Sequence, residues 1–235
     1  SPAIHVAFRL LDRPSALADL PSDAEVFVII WTTTPWTIPG NTGIALNPSA
    51  DYVVLRHDGR YYVVAEALAR ETMEAAGLTP YEQVAEAPGA AFEGLRARHP
   101  LYARDSLLVL ANYVTLDQGT GCVHTAPGHG LEDYSTAVRY GLDVVSPLDD
   151  QGRFTEEAGP ELMGLVCDQA NPKVVELLEG AGALLASGEI LHSYPHCWRC
   201  HEPVIYRATY QWFLDINALR EAALAEIAKA QWVPE

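Results

Sequence analysis

Residues 51–64 read DYVVLRHDGRYYVV. Two runs rich in Val and Tyr flank the pair Asp58-Gly59. A two-residue hairpin turn needs positive φ at both central positions, which Asp-Gly tolerates, so the stretch predicts two antiparallel strands, over residues 51–55 and 61–64. Working toward the N-terminus, VFVIIW at 26–31 is a continuous apolar run short enough for a buried strand. Before it, residues 4–11 alternate Ile4, Val6, Phe8 and Leu10 against His5, Ala7 and Arg9, the period of a strand with one buried face. Toward the C-terminus, 107–110 and 121–125 read as two more strands. Helices are fewer. They are predicted over 65–76, ended by Gly77; over 131–140, stopped by Gly141; over 172–185, interrupted near Gly180 and Gly182; and over 217–230, with Asn217 as N-cap. Many short strands with a few inserted helices give a mainly β fold class, a closed β-barrel with α/β decoration. The domain is expected to occupy 1–190. A segment with Cys-x-x-Cys follows at 191–215, and a connecting helix at 216–235.

The bulk composition excludes several classes. Of 235 residues 49% are hydrophobic and 20% charged, the balance of a globular chain with a core. No apolar run is long enough to span a bilayer, and no basic start leads into an apolar stretch, so neither a membrane partner nor a secretory signal is expected. The four cysteines form no secreted-type framework and read as reduced thiols of a cytoplasmic protein. The chain opens on Ser1 and not on Met, as an excised segment would. The net charge is −16. Phosphate neutralisation supplies most nucleic-acid affinity, so if RNA is a partner most of it must be held elsewhere.

Three stretches carry chemistry. The first is WTTTPWTIPGNTG, 31–43. Thr32, Thr33 and Thr34 put hydroxyls on both sides of an extended chain, and Pro35 restrains Thr34 to extended backbone. Trp31 and Trp36 bracket them with apolar faces, an arrangement that can hold a small polar ligand; three threonines also simply suit a strand end. The second is GTGCVHTAPGHGLEDY, 119–134. A strand ends at Thr125, Gly128 and Gly130 let backbone approach a ligand, and Glu132 and Asp133 fall in the first turn of a helix, whose dipole favours an ionised carboxylate. Such an acid suits a cationic partner, with His124 and His129 nearby; alternatively both acids only satisfy the helix start. The third is SYPHCWRCHEPVIYRATYQWF, 193–213. Cys197 and Cys200 have the spacing of half a zinc ribbon, and no second Cys-x-x-Cys completes it. Two ordinary reduced thiols are the alternative.

Together these stretches resemble the isoleucyl-tRNA synthetase family, over residues 26–213. In that family the editing domain is a barrel-like insertion in the aminoacylation core. WTTTPWT with PGNTGIALNP behind it is similar to the family's threonine-rich strand. Leucyl and valyl relatives usually read Thr-Thr-Arg-Pro there, and commonly carry Asp where Gly130 stands. HTAPGHGLEDY is similar to the second motif, in which the acid matching Asp133 binds the amino acid's α-ammonium. YPHCWRC and YRATYQWF resemble the return to the core, where the Cys pair meets another pair. The resemblance implies hydrolytic proofreading of valine, as valyl-tRNA(Ile) or valyl-adenylate, in a second site that excludes isoleucine. A pocket rejects a missing methylene only weakly, and the isoleucine–valine pair is the standard illustration of that limit.

The residues that the resemblance nominates are Thr32, Thr33, Thr34 and Asp133 as catalytic. Trp31, Trp36, His124, Thr125, Gly128 and His129 join Asp133 in binding substrate, with His124 and Trp36 as the size-limiting wall. Water serves as nucleophile. Editing needs no cofactor, while Zn2+ belongs to the parent enzyme, with Cys197 and Cys200 a half-site. The implied partners are the 3′ end of tRNA(Ile) carrying valine, valyl-adenylate and the rest of the synthetase. The signatures HIGH and KMSKS are absent, so this chain alone should not activate isoleucine. The competing readings are an editing domain of a valyl or leucyl relative, a free-standing deacylase, and a non-catalytic zinc-ribbon or RNA-binding module. The motif spelling, the Ser1 start and Cys half-site, and the acidic charge with its incomplete ligand set argue against them in turn.

Overall fold

The computed structural model describes residues 1–191, 193–231 and 233. Ten strands form one sheet in the order β10-β1-β7-β8-β3-β9-β2-β5-β4-β6, and β1 pairs a second time, with β2. That second pairing closes β1 (Pro2–Leu10), β7 (Arg96–Arg98), β8 (Asp105–Leu110), β3 (Gly43–Leu46), β9 (Cys122–Thr125) and β2 (Val26–Thr32) into a six-stranded mixed barrel. β4 (Asp51–His57), β5 (Arg60–Ala65) and β6 (Glu82–Pro88) extend the sheet from β2, and β10 (Leu184–Glu189) lies against β1.

The alternation of β1 sends Ile4, Val6, Phe8 and Leu10 into the barrel, where they pack with Val26, Val28 and Ile30 of β2. β2 is apolar throughout because both of its faces are covered. Ile29 packs on the opposite side with Val53, Leu55, Tyr62, Val64 and Met73, the last from helix α1 (Ala69–Ala75). Each fully buried side chain of this size contributes roughly 1.5–3 kcal/mol. The 51–65 hairpin forms with Asp58 at φ 45° and Gly59 at φ 79°, the two positive angles its turn requires.

Local signals failed where tertiary pairing decided the outcome. Residues 65–68 are not α-helical: β5 runs through Ala65, and a 3-10 turn occupies Glu66–Leu68. Helix α2 (Leu131–Tyr140) has the expected bounds, closed by Gly141 at φ 67°. Helix α3 begins at Cys167 and ends at Gly180; residues 184 and 185, expected as the end of this helix, are recruited by β1 as the start of strand β10. Helix α4 (Asn217–Lys229) has no buried residue, and its N-cap is Ile216. The Asp215 carboxylate, not the Asn217 side chain, receives the backbone N–H of Asn217 at 2.9 Å. Residues 232, 234 and 235 of the expected connecting helix lie outside the described residues.

Candidate active site

Pairing register brings the two polar motifs together. β9 lies parallel to β2 with Trp31 opposite Val123, and antiparallel to β3 with His124 opposite Ile44. Two clefts meet at these strand ends. One, of about 330 Å3, is lined by Thr32, Thr34, Trp36, Thr37, His124, Ala126, His129 and Asp133. The other, of about 340 Å3, includes Trp31, Thr32, Thr33, Tyr113, Gln118, His124, Glu132 and Asp133. Thr32, His124 and Asp133 line both.

The inner wall is a hydrogen-bonded chain. Asn41, fully buried, uses its amide nitrogen twice: to the Gly43 carbonyl at 2.8 Å and to Nδ1 of His124 at 2.7 Å. Its amide oxygen receives the Ser106 hydroxyl at 2.5 Å. An amide nitrogen only donates, so Nδ1 of His124 accepts and the ring proton sits on Nε2. Nε2 lies 2.9 Å from the Thr37 hydroxyl, which in turn donates to the Thr34 carbonyl at 2.8 Å. Burial pushes the His124 imidazole down to about 3, so it is a neutral ring with both nitrogens engaged. The 3-10 turn Pro35–Gly40 that carries Trp36 is fixed from outside, by the Asn171 side-chain oxygen accepting the Trp36 N–H at 3.0 Å.

The opposite wall is less satisfied. Asp133, in the first turn of α2, accepts the Ala126 N–H at 2.8 Å. Burial nevertheless raises its carboxyl to about 6, which outweighs the stabilisation expected from the helix start. His129 donates from Nδ1 to the Tyr206 carbonyl at 3.1 Å and meets the Trp36 ring edge-on at 4.9 Å. Its buried Nε2 has no hydrogen-bond partner among the described residues, and burial lowers its pKa. On the threonine strand, the Thr32 hydroxyl oxygen accepts the Thr34 N–H at 3.1 Å, leaving its own hydrogen to donate.

The segment after β10 supplies the remaining wall. Ser193, Tyr194, Pro195, Val204 and Tyr206 line the first cleft. The segment is anchored by Ala208 N–H to the Gly128 carbonyl at 2.8 Å and by an Arg207–Asp150 ion pair at 2.7 Å. Between its two legs lies a tight knuckle. His196 bridges to Pro203, Cys197 N–H donates to the Glu202 carbonyl at 2.8 Å, and His201 N–H to the Cys197 carbonyl at 2.8 Å. Backbone N–H groups of Cys200 and Arg199 face the Cys197 sulfur and lower its pKa. Among the described residues no third His, Cys, Asp or Glu ligand atom gathers with the two sulfurs.

Of the residues nominated from sequence, Thr32, Thr34, Trp36, His124, His129 and Asp133 share the first cleft, while Trp31 and Thr33 line the second. Thr125 and Gly128 line neither. Thr125 is fully buried with its hydroxyl on the Val123 carbonyl. Gly128 presses its backbone against residue 145, where a Cβ would come within 2.3 Å of the Val145 carbonyl, and it lines a third cleft with Gly130, Tyr134 and Tyr206. Sequence reading did not single out Thr37, Asn41, Ser106, Asn171 or the wall after β10. Thr37 and Asn41 lie inside the quoted motif 31–43, which is the one signal the sequence offers for them.

A family model described as leucyl-tRNA synthetase, editing domain, matches residues 19–185. An isoleucine–tRNA ligase from Nitratidesulfovibrio vulgaris (strain DSM 19637 / Miyazaki F) is 52% identical over 237 residues, covering 100% of this chain and 25% of the relative. That of Kosmotoga olearia is 50% identical, covering 99% and 24%. This chain thus spans about a quarter of the curated relatives it matches. Two solved structures share its fold. The crystal structure of GlLeuRS-CP1 has TM-score 0.62 at 16% identity, covering 81% of this chain and 100% of its own. The P. knowlesi cytosolic leucyl-tRNA synthetase editing domain has TM-score 0.58 at 12% identity, covering 79% and 96%. The chain belongs to the family of aminoacyl-tRNA synthetase editing domains, and along its whole length it aligns with the corresponding quarter of isoleucine–tRNA ligases.

Proposed function

We propose that this chain hydrolyses valine wrongly joined to tRNA(Ile), or held as valyl-adenylate, as the proofreading part of an isoleucyl-tRNA synthetase. The observation that carries the reading is Asp133, a desolvated carboxylate on the wall of a cleft floored by threonine hydroxyls. The fixed positive charge of an aminoacyl ester is its α-ammonium, and a carboxylate short of partners gains most from such a ligand. With the ammonium on Asp133, the acyl carbon falls over Thr32 to Thr34. The Thr32 hydroxyl donates to the developing oxyanion, and water attacks from a held position, with no covalent intermediate on the protein. Trp36 and the immobilised His124 ring limit the length of the side chain that enters.

The tRNA body and the rest of the synthetase are the partners this reading requires. Cys197 and Cys200 would supply two of four zinc ligands. Their knuckle suits that use, since N–H groups aimed at sulfur favour the thiolate a metal needs. The hydrolysis itself draws on neither cysteine.

The test is deacylation by the chain of valyl-tRNA(Ile) and isoleucyl-tRNA(Ile) side by side. The expected result is cleavage of the valyl ester at least about tenfold faster than the isoleucyl ester, the preference one methylene can impose. Equal rates, or no cleavage of either by the folded chain, would overturn the assignment.

A further inference from the structure

At the far end of β2 from the threonines, a separate cleft of about 380 Å3 is lined by Arg9, Arg60 and Arg98, with Glu25, Phe27 and Tyr62. It is unusual for this chain, which carries 31 acidic against 15 basic residues. The strand register sets Arg9 directly opposite Arg98 on one side and opposite Phe27 on the other. Like charges directly opposed across two strands destabilise a sheet, so this pairing is a cost that the barrel itself does not explain. Glu25 only partly offsets it: one carboxylate is shared between Arg9 at 3.4 Å and Arg60 at 4.0 Å. Arg98 turns to Asp105 at 3.2 Å, which also faces Arg96 at 3.6 Å. The Arg60 guanidinium lies 5.8 Å from the centroid of the Phe27 ring. All three arginine side chains are at least half exposed, and their planar forks match phosphate oxygens.

We infer that this arginine cleft is a docking site for the phosphodiester backbone of RNA, gripping the acceptor strand upstream of the end that enters the hydrolytic cleft. The inference rests on the proofreading reading above. Its geometry is consistent with one strand serving both sites. From Phe27 to Thr32 is five residues of β-strand, roughly 17 Å at about 3.3 Å per residue. Val28, Ile29 and Ile30 between them are buried, so a strand touching both sites runs over the surface and spans more than about five nucleotide steps at roughly 3.4 Å of axial rise each. The cleft also answers how so acidic a chain could meet a polyanion: contact is confined to a place where three arginines gather around one lining carboxylate, Glu25.

Two measurements on the full chain test it. In the first, binding of an uncharged RNA minihelix with the acceptor-arm sequence is followed by fluorescence anisotropy across a salt series. The triple variant R9A/R60A/R98A is expected to bind about 10- to 100-fold more weakly at low salt. Its log–log salt slope should be shallower by about 2 to 3, since each lost phosphate contact removes about one unit. Glu25→Gln, which frees Arg9 and Arg60, should bind more tightly than the native chain. In the second, deacylation of the valylated minihelix is compared with hydrolysis of valyl-adenosine, too small to reach the cleft. The triple variant should raise KM for the minihelix and leave the nucleoside ester unaffected. Unchanged minihelix binding in the folded triple variant, or weaker binding in Glu25→Gln, would overturn the proposal. If the native chain hydrolyses neither ester, the proofreading reading falls while the binding series still decides the arginine cleft. If the triple variant does not fold, the single variant R98A and Glu25→Gln, with effects of opposite sign, decide it.

Discussion

The two walls of the first cleft are built on opposite principles. On the β9 side, His124 has both nitrogens bonded, and Asn41, Ser106 and Thr37 complete a chain with every donor directed. On the α2 side, Asp133 is raised to about 6 by burial, and His129 keeps a buried nitrogen with no partner among the described residues. The first wall is finished without a ligand, and rigidity is what a size limit needs. The second carries an electrostatic deficit that a cationic ligand relieves. Changes to the second wall should therefore remove activity, and changes to the first should remove stability.

The sharpest test of that division is Asp133→Ala. Hydrolysis of valyl-tRNA(Ile) is expected to fall by about 10- to 100-fold or more, because a charged hydrogen bond of about 1.5–3 kcal/mol and the ester's orientation are lost together. Glu132→Ala should edit nearly normally. The reverse pattern in two folded proteins would place the anchor on Glu132 and break the comparison.

Next in size is Asn41→Ala. It leaves His124 Nδ1, the Ser106 hydroxyl and the Gly43 carbonyl without their partner inside the barrel. Stability should drop by about 2–4 kcal/mol in chemical unfolding, with the valine-to-isoleucine preference blurred in the protein that remains folded. A loss below about 0.5 kcal/mol would mean that the network is not what holds the wall.

The smallest effect sharpens the account of Asp133 itself. The ammonium anchor works ionised, so kcat/KM should fall as pH drops through about 6. Both cleft histidines are held down by burial, so this limb belongs to the carboxyl. The stability sign is opposite. A carboxyl raised above its unfolded value favours the folded state at low pH, and that advantage is lost as pH rises from about 4 to about 6. Asp133→Asn keeps an acceptor for Ala126 N–H and should be more stable than the native chain at pH 8, by up to about 2 kcal/mol. Equal stability at pH 8 would show that solvent already satisfies the carboxylate.

The parts legible in the sequence are the local ones. The Asp58-Gly59 turn and the Gly141 stop follow from backbone sterics within a few residues. The alternation of β1 is the pattern of its buried face. Arg96–Arg98 and Gly43–Leu46 carry too little pattern to detect and exist because neighbours recruit them. β10 illustrates the same override, since LLASGE has no strong strand preference and is fixed by its ladder to β1. At the site, residue types were legible and contacts were not: His124 meets Thr37 across 87 positions and Asn41 across 83. The helix start favours an ionised Asp133, and at neutral pH it stays ionised, but desolvation, which depends on what packs above it, raises its carboxyl to about 6.

The ladder between β1 and β10 has a further consequence. It brings residues 1 and 190 together, joined by reciprocal backbone hydrogen bonds of 2.9 Å. An unfolded excursion of that length inside a longer chain carries a length-dependent closure entropy on the order of 4–5 kcal/mol. Once folded, it presents its flanks at the spacing of a tight turn. Any polypeptide carrying these residues as an insertion is therefore relieved of that penalty when they fold, and in turn holds their ends in register. Such a seam of backbone hydrogen bonds is enough by itself to couple the folding of guest and host in both directions.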